Sequence, residues 1–310
     1  VTIKIIGAGM AGLIAANLLR RHDPVILEEQ QSLPNNHSAV LRFRSSVVGD
    51  ALGIEFKKVL LLKDVESTGN IVRDAHLYSW KVGGIFRSDR SVTRGTEIAE
   101  RWIAPPDLIE RMAHGLDIRF GERWSWREGD GRVISTIPMP VMMDLTGYPS
   151  KPRFESRVGY NIIGRVDRAE SYSSLLVPDP VHAFSRISVT GREMIIEVPN
   201  LAEEPDEEEV IDMVEDACNL VGLPSASFDL NAVKRQDYAK IMPIDERERQ
   251  TFLHWLNGIK GIAYSLGRFA CWRPGLMNDD LIKDVRTIEK WMRQGEAAGF
   301  EQDLQRARKS

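Results

Sequence analysis

The first 29 residues constrain this chain more than any other stretch. An apolar run, residues 1–6, leads directly into Gly7, Gly9 and Gly12, which stand in G-x-G-x-x-G spacing. A helical segment (residues 13–21) and a second apolar run (residues 25–27) follow, closed by Glu28, 21 residues past Gly7. The three glycines serve different ends, namely a tight turn, close backbone approach to a pyrophosphate, and contact between helix and strand. The helix N-terminus presents unpaired N–H groups and the positive end of its dipole to that phosphate. An acid at the end of the second strand accepts from a ribose 2′-hydroxyl. Strand, turn, helix, strand and acid in this order predict a dinucleotide site. The acid favours NAD or the adenylate half of FAD over NADP.

The remaining composition narrows the class. With 310 residues, 43% hydrophobic and 28% charged, the chain is long enough for two packed units. A net charge of −4 provides no global basic field for nucleic acid, although local patches are compatible with it. Cys218 and Cys271 are far apart and near no His/Cys cluster, so neither a disulfide framework nor a metal site is expected, and a reducing, cytoplasmic setting fits. No apolar run approaches the roughly 20 residues of a membrane span. Nothing at the start reads as a signal peptide, because residues 1–6 serve as the first strand.

Along the chain, residues 30–38 (QQSLPNNHS) read as a loop and residues 39–44 (AVLRFR) as an edge strand with Arg42 and Arg44 on one side. Residues 45–73 suggest a short helix and a connecting excursion. Residues 76–87 (HLYSWKVGGIFR) suggest a hairpin turning at Gly83-Gly84. Pro105-Pro106 open a helix over 107–114. Residues 116–120 and 131–137 look like a strand pair bridged by EGDG. From residue 149 four β-type runs (157–166, 171–177, 183–189 and 193–198) predict a mainly antiparallel sheet. The acidic stretch EEPDEEE then starts a helix over 210–220, a structural use of its charge.

The second informative stretch is residues 258–292. A strand (259–266), a close turn at Gly267 and a Pro274-Gly275 turn lead to Asn278. There a helix begins whose Leu281, Val285, Ile288 and Met292 share a face.

Four pieces in order, GAGMAG with LEE, RVISTIP, PDPVHAFSRIS and LGRFACWRPGLMNDDLI, resemble the FAD-binding amine oxidase superfamily, with protoporphyrinogen-oxidase-like and UDP-galactopyranose-mutase-like proteins as neighbours. The resemblance implies an α/β fold: a Rossmann-like FAD-binding domain of glutathione-reductase type, with a discontinuous, mainly antiparallel β substrate domain. It divides the chain into 1–60, 100–148 and 255–310 for FAD, and 61–99 and 149–254 for substrate. By that likeness Gly7, Gly9, Met10 and Gly12 hold the pyrophosphate and Glu28 the ribose. Ile118 or Arg119 passes the adenine, and Gly267, Arg268, Met277 and Asn278 lie near ribitol and flavin. Asn35, Asn36, His37, Arg42 and Arg44 are further candidate ligands on the loop that would pass the flavin. The usual Arg-x-Gly-Gly after the acid is replaced by LPNNHS, and the mutases' Gly-Pro-His-x-Phe-His is absent.

The activity so implied is oxidation of a C–N bond in an amine or amino-acid-like substrate. Arg186 would pair an acidic group, Lys240 would hold a water near the flavin, and His37 completes the catalytic candidates. Tyr160, Tyr172, His182 and Tyr238 are weaker candidates; His22, His114 and His254 read as surface positions. The segment NNHSAVLRFRSSVVGDALGI also resembles small phage flavoproteins of DNA thymine hypermodification. That likeness would make DNA a partner, met by Arg42, Arg44, Arg87, Arg90 and Arg94. The alternatives are a non-redox flavin isomerase of UDP-galactopyranose mutase type and a cofactor-binding protein without turnover.

Overall fold

A computed structural model describes residues 2–33, 42–86, 95–125, 132–167, 169–259 and 263–294. His37, Asn35, Asn36, Arg87, Arg90 and Arg94 lie outside them. Two sheets organise the chain.

The smaller sheet is wholly parallel. It contains β1 (Ile3–Ile6), β2 (Val25–Glu28), β6 (Asp117–Phe120), β7 (Arg132–Ser135) and β13 (Ala263–Ser265), in the order β13-β7-β1-β2-β6. β1 is buried at Ile3, Ile5 and Ile6 and β7 at Val133 and Ile134, as inner strands covered on both faces must be. α1 (Met10–Leu18) joins β1 to β2, and α8 (Leu281–Gln294) packs beside it. The expected pairing of residues 116–120 with 131–137 is corrected here. β6 lies parallel to β2 at one edge, while β7 lies on the far side of β1. Turn-like residues between two strands do not pair them when each strand finds a more apolar neighbour.

The larger sheet runs β12-β8-β11-β10-β9-β4-β5-β3, from β3 (Arg42–Phe43), β4 (Lys57–Val65), β5 (Glu97–Ile103), β8 (Ser156–Val166), β9 (Ser171–Leu176), β10 (Arg186–Gly191), β11 (Glu193–Pro199) and β12 (Phe228–Ile241). Only β4 and β9 pair in parallel. One face packs under α6 (Glu207–Val221), which begins in a capping box between Asp206 and Glu209. Ile162, Ile187 and Ile196 point to that helix. Their strand neighbours Asn161, Arg186 and Glu197 therefore point away from it.

Residues 76–86 are not a hairpin. They belong largely to α3 (Ile71–Gly83), whose cap Asn70 accepts from the N–H groups of Val72 and Arg73 at 3.1 Å each. Gly84, at φ +70°, is the left-handed residue that stops the helix. The two glycines marked a helix end and not a strand turn. Within 45–73, α2 (Val47–Leu52) is the expected short helix, but the excursion is the strand β4, buried at Val59, Leu61 and Val65. Three further helices complete the framework: α4 (Leu108–Ala113), α5 (Met139–Thr146) and α7 (Glu246–Ile259).

α8 is tied to α1 by apolar packing and, by charge, to the short turn Arg20–His22 that follows α1. Glu289 of α8, 9% exposed, accepts from Arg21, from His22 at 2.8 Å and from Arg293 at 3.2 Å. Burial would raise its pKa; the hydrogen bonds from His22 and Arg21 and the charges of Arg21 and Arg293 outweigh this and hold it below the ordinary glutamate value. A depressed carboxylate adds stability that is present above its unfolded pKa, about 4.3, and is lost as pH falls through the lower folded value. Below about pH 4 the Glu289→Gln protein should therefore lose less thermal stability than the parent. Parallel pH–melting curves for the two would contradict this tie.

Candidate functional site

The carboxyl ends of β13, β7, β1 and β2 converge, which is where open parallel sheets bind ligands. Gly7 leaves β1 at φ +96°, and its N–H donates to Leu27 O at 2.9 Å. Thr136, just past β7, closes the other side: its N–H and its hydroxyl both donate to Ile6 O, at 3.0 and 2.7 Å. The three glycines separate by the space around them. A Cβ on Gly12 would lie 2.0 Å from Gly7 O, so this residue sets how closely α1 crosses the turn. One on Gly7 would lie 2.6 Å from Thr136 Oγ1. One on Gly9 would meet nothing within 4 Å. Gly9 is also the α1 cap, with no side-chain bond to the helix. Gly9 thus leaves room at the N-terminus of α1, the end that carries unpaired N–H groups and the positive pole of the dipole.

Glu28 is 7% exposed and held from two sides. Its Oε2 accepts from Ala8 N–H at 2.7 Å and its Oε1 from Gln30 N–H at 3.0 Å. A carboxylate has lone pairs beyond these two, so a hydroxyl can still be recognised. Met10 puts its side chain into the core and offers only backbone to the turn. Ile118 sits level with Ile26 on the edge strand β6.

The second anchor is brought to the first. Gly267, at φ +96°, follows β13, and a Cβ there would lie 3.0 Å from the Cβ of Ala11 in α1. Leu266 N–H donates to Ser135 O at 2.8 Å. Beyond Gly267, Arg268 lies over the Phe269 ring at 5.9 Å. Met277 and Asn278 are exposed, and Met277 N–H donates to Asp280 Oδ2 at 2.9 Å. Asp279 was not singled out from sequence. Its Oδ1 accepts from both the N–H and the hydroxyl of Ser45, each at 2.9 Å, and its Oδ2 from Arg44 N–H at 3.4 Å. It thereby pins the chain after β3 to the start of α8. The signal available was the acidic pair ahead of the helix.

Arg42 turns towards the larger sheet. Its guanidinium donates to Ser173 O and Ser188 Oγ, each at 2.9 Å. Burial, and then the charge of Arg186, lowers its pKa to about 10. Arg186 donates twice to Glu197 Oε1, from Nε at 2.8 Å and from Nη2, and Glu197 holds the guanidinium charged against its burial. Across the sheet Arg186, Glu197, Asn161 and Lys234 stand in register, forming a polar row on the face away from α6.

Lys240 is not in that row. It lies opposite Arg157 near the end of β12, beyond a register shift, with β8 and β11 between its strand and that of Arg186. The lysine level with Arg186 is Lys234, which sequence reasoning passed over because the register of the strand carrying Tyr238 and Lys240 follows only from its pairing with β8. Tyr160 faces α6 and is buried there; Tyr238 packs on Phe269 and Trp272; Tyr172 accepts from Lys57 at 2.9 Å; His182 pairs with Asp216 of α6 at 2.6 Å. Among the described residues no cluster of His, Cys, Asp and Glu could hold a metal ion, and no helix is long and apolar enough to cross a membrane.

No protein-family model and no curated protein sequence matches the chain. Solved structures match in fold. Reduced UDP-galactopyranose mutase aligns with a TM-score of 0.69 at 14% identity, over 98% of this chain and 98% of its own. Aklavinone-11 hydroxylase, in a ternary complex with FAD and aklavinone, gives 0.61 at 14% identity, over 94% of this chain and 62% of its own. Glycine oxidase from Geobacillus kaustophilus gives 0.56 at 14% identity, over 93% and 94%. The chain therefore has the architecture of FAD-binding flavoproteins: a parallel Rossmann-like core with a second, mainly antiparallel sheet.

Proposed function

We propose that this protein is an FAD-dependent oxidoreductase acting on a C–N bond of an amine or amino-acid-like substrate. The observation that carries the reading is the meeting of the chain's two distant anchors: Gly267 lies against Ala11 beside a turn whose Gly9 faces open space. That cradle suits a pyrophosphate. The α1 N-terminus would hold the phosphates and Glu28 the adenosine ribose, while residues 267–278 would run beside ribitol and flavin. When bound, FAD supplies the capacity to accept a hydride from the carbon next to nitrogen.

The chain's own part is positioning. Arg42 and Arg186 bring two guanidinium groups to one sheet face, where among the described residues Glu197 is the carboxylate paired with them, which leaves positive charge for a substrate acid group. A carboxylate held there would orient the carbon beside its nitrogen, and the product imine would hydrolyse in water. Fold likeness to glycine oxidase agrees with this choice.

A sugar-nucleotide isomerase is the second reading, favoured by the full-length match to UDP-galactopyranose mutase. The DNA reading loses Arg42, which is turned inward on the sheet. The purified protein should be yellow, and small amino acids should bleach it without oxygen. Arg186→Leu should raise KM for an amino acid at least 10-fold while leaving that for the matching amine without the carboxylate unchanged. Failure of every amine and amino acid to bleach bound flavin would remove the oxidase reading, and turnover of UDP-galactopyranose by reduced protein would install the isomerase.

A further inference from the structure

A second cavity, of about 550 Å³, opens at the end of the larger sheet where β8 and β10 begin and β11 stops. None of its lining belongs to the glycine turn, the 267–278 segment or the Arg42–Arg186 row. Its volume is that of a small-molecule site. Apolar walls come from Val158, Pro180, Pro199 and Leu201, and Trp80 stands at its rim, 45% exposed and stacked on Phe86 at 5.9 Å with 14° between the planes.

Two cations line this space without a carboxylate in ion-pair contact among the described residues. Lys81 is 8% exposed and donates to two backbone carbonyls, Val177 O at 2.9 Å and Asp179 O at 2.6 Å, so nothing neutralises its charge directly. Burial lowers its pKa to about 8, with the more distant charges of Asp179, Glu66 and Asp216 opposing the shift. Arg157 is placed by Gly84: a Cβ there would lie 2.8 Å from Arg157 Nη2, so the guanidinium rests against bare backbone. Its Nε is enclosed and finds no acceptor among the described residues. An enclosed N–H of a charged group left unsatisfied is costly, and a bound acceptor would relieve it. His182, also on the wall, pairs through Nδ1 with Asp216 Oδ2, which engages one oxygen of that carboxylate.

We propose that this cavity binds an aromatic or apolar small molecule bearing a carboxylate or phosphate, with the anion received by Arg157 and Lys81 and the body against Trp80 and the proline walls. The site is separate from the flavin cradle, and its occupation does not depend on the redox reading.

Calorimetric titration of the 310-residue chain with phenyl phosphate, benzoate and inorganic phosphate tests this. Phenyl phosphate or benzoate should bind at least 10-fold more tightly than inorganic phosphate, and whichever binds more tightly identifies the anion. Arg157→Gln should weaken that binding at least 10-fold. Ala183→Trp, at an exposed position on the wall, should abolish it with the melting temperature unchanged. Undetectable binding of both aromatic anions, or equal affinity in the Ala183→Trp protein, would overturn the assignment.

Discussion

Gly12→Ala should give a protein that neither folds normally nor binds FAD, whereas Gly9→Asp should fold as well as the parent and still fail to bind it. The two positions lie three residues apart in one turn, yet the structure assigns their glycines opposite reasons. At Gly12 the added methyl would meet a main-chain oxygen at 2.0 Å, and neither α1 nor β1 can retreat without breaking the sheet. The cost should exceed the roughly 1–3 kcal/mol of ordinary overpacking, because the opposing atom is backbone and not a pliable side chain. At Gly9 a side chain enters open space from a backbone at φ −73°, which any residue adopts. Aspartate is a good helix cap, so the protein without FAD should gain a few tenths of a kcal/mol. The same carboxylate would stand where the pyrophosphate belongs. FAD affinity should fall at least 100-fold, about 2.7 kcal/mol. Melting without FAD, paired with titration of flavin fluorescence, separates the two effects. Parental FAD affinity in the Gly9→Asp protein would place the cofactor elsewhere.

Trp272→Ala should be the most destabilising truncation near the site, by about 3–5 kcal/mol. The indole is 1% exposed, its Nε1–H donates to Met242 O at 2.8 Å, and its ring meets Phe154 and Tyr238 edge-on. It is also one of few non-glycine residues at positive φ, +47°, a conformation kept only where its surroundings demand it. Trp272 thus fixes the segment after Gly267 to the end of β12, joining the two sheets through one side chain. At roughly 2–4 °C per kcal/mol, the melting temperature should drop by on the order of 10 °C. FAD should restore less of that loss than it adds to the parent, since residues 267–278 would no longer be held. A drop under about 2 °C would show that the segment stands without this anchor.

The nucleotide half was legible because its signals are local. Strand, glycine spacing, helix and acid occupy one short stretch, and the structure returns them as β1, α1, β2 and Glu28. The four central β runs were legible for the same reason: each is a β-type stretch set off by Gly or Pro. What sequence reasoning lost were partners set by distance along the chain. The 116–120 and 131–137 segments were paired with each other, although β1 and β2 compete for them. Residues 76–87 were read as a hairpin with Gly83-Gly84 as its turn, but the Asn70 cap and the buried stripe of Ala75 and Tyr78 decide for helix. Strand β12 alternates weakly, being half exposed along its length, so its extent was not read and Lys234 passed unnoticed. Arg186 and Arg42 were each picked out, but that they share a face follows only from register.

The smaller sheet draws its strands from the beginning, the middle and the end of the chain, and β13, the last to be made, lies against β7. On a ribosome, the glycine turn would therefore wait for more than two hundred further residues before the segment that faces it emerged. Holding the cofactor is then a property the polypeptide acquires only once that later segment has been made.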